Sequence, residues 1–110
     1  MNEPATLLRI FLLEGQRDGH QPLYAAIVEE LRSDGFQGVT VLKGIDGFGI
    51  NRHLHSARVV DVTMNLPIII EIIERRDKID AIIPRLTEMI PEGLLTLENL
   101  QVITIRRSEP

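Results

Sequence analysis

The segment Leu66–Glu74, which reads LPIIIEIIE, most constrains the fold, because it is the strongest strand signal in the chain and a helix pattern follows it directly. Its even positions from Leu66 to Ile72 are all aliphatic, yet Ile69 and Ile73 at odd positions are aliphatic as well. After this strand, apolar residues recur at the spacing of one helix face: Ile79, Ile82, Ile83, Leu86 and Ile90. Pro84 lies inside that pattern, so we expect it to kink the helix or to remove one backbone hydrogen bond.

The first half of the chain predicts a strand, a helix and a second strand. Thr6–Glu14, TLLRIFLLE, is short and apolar and is followed by Gly15, which favours a buried strand. A loop then leads to Pro22, whose fixed φ suits the first turn of a helix, and Gly35 supplies the end of that helix. Val39–Ile45, VTVLKGI, is rich in β-branched residues and predicts the second strand.

The end of the chain completes the order of elements. LLTLENLQVITIRR predicts one or two strands, with Glu98-Asn99 as the turn or bulge between them. The order β-α-β-loop-β-α-β indicates an α+β fold of ferredoxin-like βαββαβ type, an antiparallel sheet with two helices on one face. Apolar residues at the odd positions of the strands then lie on the other face. A few exposed aliphatic side chains are normal, but we expect this second face to be buried in an oligomer.

Composition narrows the classes of function. The chain has 110 residues, so we expect a single domain over residues 1–110. It has no cysteine, which excludes disulfides, zinc–thiolate sites and cysteine nucleophiles and fits a reducing compartment. A net charge of −4 and an aromatic content of 4% argue against nucleic-acid binding. The N-terminal segment lacks the pattern of a signal peptide or a membrane span, so we expect a cytoplasmic protein.

The least regular part of the chain is DGFGINRHLHSARVVDVTMN, and we expect a long functional loop over residues 47–63. Gly44, Gly47 and Gly49 precede or begin it, either because they approach a ligand or because a turn there needs positive φ. His53 and His55 form an H-x-H pair that could share a metal, although two solvated histidines are the simpler interpretation and we predict no metal site.

Catalytic patterns are scarce in this sequence. None of the three serines lies in a G-x-S-x-G context, and no Walker motif occurs. Arg106, with the arginine that follows it, could hold a phosphate, but a polar strand end explains these residues equally well. We therefore expect a binding protein without a cofactor, not an enzyme.

The run VLKGIDGFGINRHLHSARVVDV resembles the start of the T-loop in the PII signal-transduction superfamily. The runs PLYAAIVEELRSDGFQGVTVLKGIDGFG, NLPIIIEIIE and EGLLTLENLQVITI resemble one uncharacterised PII-like branch, a domain of unknown function. The resemblance implies a homotrimeric regulatory protein that binds a small ligand, such as an adenine nucleotide, in clefts between subunits. It also implies that the long loop engages a protein target such as a membrane transporter.

The same resemblance assigns roles by position. Gly44, Gly47 and Gly49 would form the loop base near the ligand, Arg52, His53 and His55 would lie on the loop, and Arg106 would lie near the cleft.

One stretch departs from the PII pattern. PII proteins have a glycine- and lysine-rich phosphate-binding loop after the second helix, whereas this chain has only Ile90–Gly93, IPEG, in which Glu92 is acidic. A triphosphate would lose its backbone cradle and meet a carboxylate, so AMP, another small anion or no nucleotide remain open. The alternative function is a divalent-metal-binding trimer related to ion-tolerance proteins, which rests on His53 and His55.

Overall fold

The computed structural model describes residues 2–47 and 65–107. The elements in chain order are β1 (Asn2–Leu13), β2 (Arg17–Asp18), β3 (Gln21–Pro22), α1 (Leu23–Ser33), β4 (Thr40–Lys43), β5 (Pro67–Glu74), α2 (Arg76–Met89) and β6 (Leu94–Ile103). A four-stranded antiparallel sheet has the order β4-β5-β1-β6. The ferredoxin-like βαββαβ fold predicted from the element order is therefore confirmed.

The hydrophobic core lies between this sheet and the two helices. Even-numbered residues of β1 and β5 face the helices, because side chains alternate between the faces of a strand. The helices contribute residues at the spacing of one helical face. The members of this core include Leu8, Ile10, Leu12, Ile68, Ile70 and Ile72 from the sheet, Leu23, Ile27 and Leu31 from α1, and Ile79, Ile82 and Leu86 from α2.

The helix ends follow the predicted signals. α1 begins directly after Pro22, and beyond its last turn Gly35 adopts a φ of +86°, which a glycine accepts without strain. The N–H of Phe36 then donates to the carbonyl of Leu31 at 3.1 Å, and Lys78 Nζ donates to the carbonyl of Gly35 at 2.8 Å. α2 continues through Pro84, so this proline costs the helix one backbone hydrogen bond without ending it.

Three predictions about the strands and the loop between β1 and α1 are wrong. β6 is one continuous strand that pairs with β1 over ten consecutive positions, so no turn or bulge lies at Glu98-Asn99. The two polar residues fit an edge strand because both side chains remain exposed there. β6 also gives partners to Asn2–Ala5, which extends β1 beyond its predicted start at Thr6. The hairpin of β2 and β3 lies where we predicted only a loop.

The second face of the sheet is covered by neither α1 nor α2, and we call it the open face. Apolar side chains occupy much of it, as the odd positions of β1 and β5 predicted. Several apolar residues on this face are about half exposed: Ile73 on β5 at 52%, Leu42 on β4 at 44% and Leu94 on β6 at 57%. By strand register the open face comprises Leu42 on β4, Ile69, Glu71 and Ile73 on β5, Leu7, Arg9 and Phe11 on β1, and Leu94, Thr96 and Glu98 on β6. The expected burial of this face in an oligomer stays a prediction.

Candidate functional site

Several chain segments meet at one end of the sheet, which we call the loop-base end. β4 ends there and β5 begins there, with the N–H of Gly44 donating to the carbonyl of Pro67 at 2.8 Å. β1 also ends there, and the N–H of Glu14 donates to the carbonyl of Leu66 at 2.8 Å. β6 starts beside the same end, since Leu94 pairs with Phe11. The segment 48–64 thus leaves and rejoins the described chain at this end.

Gly44 and Gly47 are held against Pro67. A Cβ atom at Gly44 would lie 3.2 Å from Pro67 Cγ, and one at Gly47 would lie 3.0 Å from the same atom. Gly47 also has a φ of +154°, and its N–H donates to Asp46 Oδ1 at 2.8 Å. The positive φ that we predicted as the structural reason for these glycines is present at Gly47 but not at Gly44, where the close approach to Pro67 is the structural feature. Contact of either glycine with a ligand stays a prediction.

The residues on either side of the segment 48–64 are tied to the end of β1. Lys43 Nζ pairs with Glu14 Oε2 at 2.9 Å, and Asn65 Oδ1 accepts a hydrogen bond from the N–H of Gly15 at 2.9 Å. The other oxygen, Glu14 Oε1, is buried and accepts no hydrogen bond from the described residues. Sequence reasoning missed Glu14, because nothing local in TLLRIFLLE marks it as the partner of a lysine on β4.

The loop Ile90–Gly93 borders a groove at the same end. The groove has a volume of about 330 Å³ and is lined by Thr87, Ile90, Pro91, Glu92, Gly93 and Leu95. A Cβ atom at Gly93 would lie 2.8 Å from the carbonyl oxygen of Phe11, so only glycine fits there. Gln16 fixes the loop, since its Nε2 donates to the carbonyl of Glu92 at 2.9 Å while its Oε1 accepts from the N–H of Leu13 at 2.8 Å.

Of the other predicted site residues, only Arg106 is among the described residues, and it is not brought to this end of its own chain. Arg106 follows Ile103, which pairs with Asn2, so it lies beyond the opposite end of the sheet, exposed. Gly49, Arg52, His53 and His55, with most of the predicted loop 47–63, lie outside the described residues. The metal alternative, which rests on the two histidines, stays a prediction.

A larger groove, of about 590 Å³, lies at the opposite end, between the start of β1 and the start of α2. Arg75 and Arg76 line it, but each is already paired with a carboxylate. The distances are 3.2 Å from Arg75 Nε to Asp77 Oδ1 and 3.0 Å from Arg76 Nε to Asp80 Oδ1. Because both arginines are paired, this groove presents less positive charge to an anion than two unpaired arginines would.

A charged cluster lies at the centre of the open face. Arg9 Nε donates to Glu71 Oε2 at 2.8 Å, and Arg9 Nη1 lies 3.6 Å from Glu98 Oε1. The hydrogen bond to Glu71 raises the pKa of Arg9 above its ordinary value, while burial acts in the opposite direction. Sequence reasoning missed this cluster, although Arg9 and Glu71 each stand as a single charge inside an apolar strand, a pattern that indicates a cross-strand partner.

The family of the chain follows from comparison with known sequences. The profile of the DUF190 family, described as an uncharacterized ACR, matches residues 5–102. The chain belongs to the DUF190 family. A UPF0166 protein of Methanocaldococcus jannaschii is 33% identical over 99 residues, which cover 89% of this chain and 91% of the relative. A UPF0166 protein of Aquifex aeolicus is 31% identical over 97 residues, which cover 88% and 91%.

Solved structures resemble this DUF190 chain in fold. A candidate PII-like signalling protein of Thermus thermophilus has a TM-score of 0.65 and 24% identity, covering 93% of this chain and 92% of that protein. CPII of Thiomonas intermedia, a nitrogen regulatory PII-like protein bound to ADP, AMP and bicarbonate, has a TM-score of 0.63 and 18% identity. The coverage is 96% of this chain and 100% of CPII. The predicted resemblance to an uncharacterised PII-like branch is confirmed.

The two described helices were compared in length and hydropathy with membrane-spanning helices. Neither α1 nor α2 has the length and the apolar composition that a membrane crossing requires.

Proposed function

We propose that this DUF190 chain is a cytoplasmic, PII-like regulatory protein that works by binding and not by catalysis. Its ligand is an adenine nucleotide with a short phosphate chain, bound at the loop-base end in clefts between the subunits of a homotrimer, and residues 47–63 engage a partner protein. The observation that carries this proposal is the convergence at the loop-base end of both junctions of the segment 48–64, the groove beside Ile90–Gly93 and the carboxylate of Glu14.

The size of the groove favours a cleft between subunits. Its volume of about 330 Å³ is at the lower end of the range of about 300–1,000 Å³ that is usual for ligand pockets. A second copy would add the missing wall. It would also allow Arg106, which lies far from the loop-base end of its own chain, to reach the loop-base end of a neighbour. The fold shared with CPII, which binds ADP and AMP, supports a nucleotide as the ligand.

The polar groups at this end favour a nucleoside with few phosphates. Glu14 Oε1 is a buried acceptor, and a buried acceptor without a donor costs free energy. The hydroxyl and amino groups of a nucleoside are suitable donors. Glu92, in contrast, is exposed at the rim of the groove, where it repels every additional phosphate.

Isothermal titration with AMP, ADP and ATP tests this proposal. We expect the wild-type chain to bind AMP more tightly than ATP, and Glu92→Lys to strengthen ATP binding about tenfold more than AMP binding, a change of about 1.4 kcal/mol. Glu88→Lys is the matched control, since it makes the same charge change at an exposed position of α2 outside the groove lining. Failure of all three nucleotides to bind the wild-type chain would contradict the proposal.

Replacement of residues 48–63 by a short glycine–serine linker tests the loop. We expect this variant to remain a trimer by light scattering, because the sheet and helices are untouched, while it loses nucleotide affinity. Unchanged nucleotide binding would show that the segment takes no part in the site.

A further inference from the structure

Gln16 joins the end of β1, the start of α1 and the loop Ile90–Gly93. Its N–H donates to the carbonyl of Leu13 at 3.2 Å, and its carbonyl accepts from the N–H of Leu23, the first residue of α1, at 2.8 Å. Its side-chain oxygen accepts from the N–H of Leu13 at 2.8 Å, and its side-chain nitrogen donates to the carbonyl of Glu92 at 2.9 Å. Because the amide is bonded at both its oxygen and its nitrogen, its orientation is fixed.

The bond from Gln16 also fixes the peptide group between Glu92 and Gly93. This peptide group is trans and planar, so its carbonyl and its N–H point in opposite directions. Since the carbonyl of Glu92 points toward Gln16, the N–H of Gly93 points away from it. This N–H makes no hydrogen bond with any described residue, so it is available as a donor.

The groove at the loop-base end lies beside this peptide group. Glu92 and Gly93 both line it, whereas Gln16 is not among the residues that line it. We propose that Gln16 is a positioning residue of the groove, which holds the carbonyl of Glu92 so that the N–H of Gly93 faces the ligand. A backbone N–H that donates to a phosphate oxygen forms a charge-assisted hydrogen bond. This inference rests on the proposed function, because it takes AMP as the ligand.

The geometry also predicts the effect of replacing the donor of Gln16 by an acceptor. Gln16→Glu keeps the length of the side chain and an oxygen for the N–H of Leu13, but it removes the donor to Glu92. The introduced carboxylate repels the carbonyl oxygen of Glu92 and attracts the N–H of Gly93, so we expect this peptide group to reverse. A glycine accepts either sign of φ and permits the reversal. The carbonyl of Glu92 would then face the groove and repel a phosphate.

Isothermal titration with AMP compares variants of the full chain. We expect Gln16→Glu to lower the affinity for AMP about tenfold or more, because the groove loses a donor and gains an acceptor. Gln16→Met, which is similar in length but has no amide, should lower it only about threefold, because the peptide group is released without being reversed. Gln21→Glu is the matched control, since it makes the same change at an exposed position of β3. It should bind AMP as the wild-type chain does.

The NMR amide resonance of Gly93 separates positioning from a general loss of stability. Addition of AMP should shift this resonance in the wild-type chain and in Gln21→Glu, but not in Gln16→Glu. Without ligand, Gln16→Glu should move the amide proton of Gly93 downfield and slow its exchange with water, because the N–H then donates to the introduced carboxylate. A purely structural role of Gln16 would lower the melting temperature without producing this downfield shift.

The outcomes separate this inference from the proposed function. If Gln16→Glu and Gln16→Met lose the same affinity for AMP, Gln16 only anchors the loop, so the inference is wrong and the proposed function stands. A Gly93 resonance that stays in its wild-type position in ligand-free Gln16→Glu would also overturn the inference. A wild-type chain that does not bind AMP would overturn the proposed function and the ligand named here, whereas the ligand-free Gly93 resonance decides the positioning role in either case.

Discussion

The two faces of the sheet are built from the same strands, but they differ in how deeply their side chains are buried. On β5, Ile70 faces the helices and is fully buried, whereas Ile73, three residues later, faces the open side and is 52% exposed. On β1, Ile10 and Arg9 are neighbours in sequence, but one is in the core and the other is in the charged cluster. The apolar side chains of the helix-covered face are thus mostly buried within one chain, whereas several of those on the open face are exposed.

Because of this difference, we expect substitutions on one face to affect folding and substitutions on the other face to affect association. The side chains of the helix-covered face make their contacts within the chain, so their loss should lower the free energy of unfolding. Apart from Leu7, which is buried, the apolar side chains of the open face are only partly buried, so their loss should act mainly on association. Since β5 carries isoleucine on both faces and β1 carries leucine on both faces, composition alone does not reveal which residue has which effect.

The largest expected difference is between Ile70→Ala and Ile73→Ala. We expect Ile70→Ala to lower the free energy of unfolding by about 2–5 kcal/mol, because it leaves a cavity in the core. Ile73→Ala should cost less than about 1 kcal/mol, because half of this side chain is already in water. Urea unfolding at low protein concentration measures both. Equal losses for the two variants would show that the open face is as important to the fold of one chain as the core.

Most of this fold could be predicted from local patterns. Leu66–Glu74 and the helix after it are close to the observed β5 and α2, because each signal lies within a few residues. The cluster of Arg9 and Glu71 was not foreseen, since its members are 62 positions apart and meet only through the pairing of β1 with β5.

The errors also have physical reasons. Glu98-Asn99 looked like a turn because two polar residues interrupt an apolar run, but an edge strand tolerates exposed polar side chains on both faces. At the candidate site, Gly44, Gly47 and the loop Ile90–Gly93 were singled out from the sequence, and their contact with a ligand stays a prediction. Glu14 and Gln16 were not, because their roles depend on partners on other strands and loops.

A smaller effect is expected when a charge is placed on the open face. Ile73→Lys should weaken assembly by about hundredfold, or about 2.8 kcal/mol, because a lysine there must lose its water when a copy covers it. Its circular dichroism should stay that of the wild-type chain. Ala81→Lys is the control, since it places the same charge at an exposed position of α2. If light scattering gives the same mass for all three chains, the open face is not the surface of association.

The outer surface of α2 can be compared with the two faces of the sheet. We expect the smallest loss of unfolding free energy for a substitution there. Asp80 and Arg76 form an ion pair at 3.0 Å one turn apart, with both side chains more than half exposed. Such pairs contribute about 0.3–0.5 kcal/mol and are weakened by salt. Asp80→Asn should therefore lower the free energy of unfolding by no more than that in dilute buffer, and by nothing measurable in about 1 M NaCl, where the Debye length is about 3 Å. A loss above about 1 kcal/mol that persists in salt would mean that the outer surface of α2, and not only the open face, makes contacts that a single chain does not show.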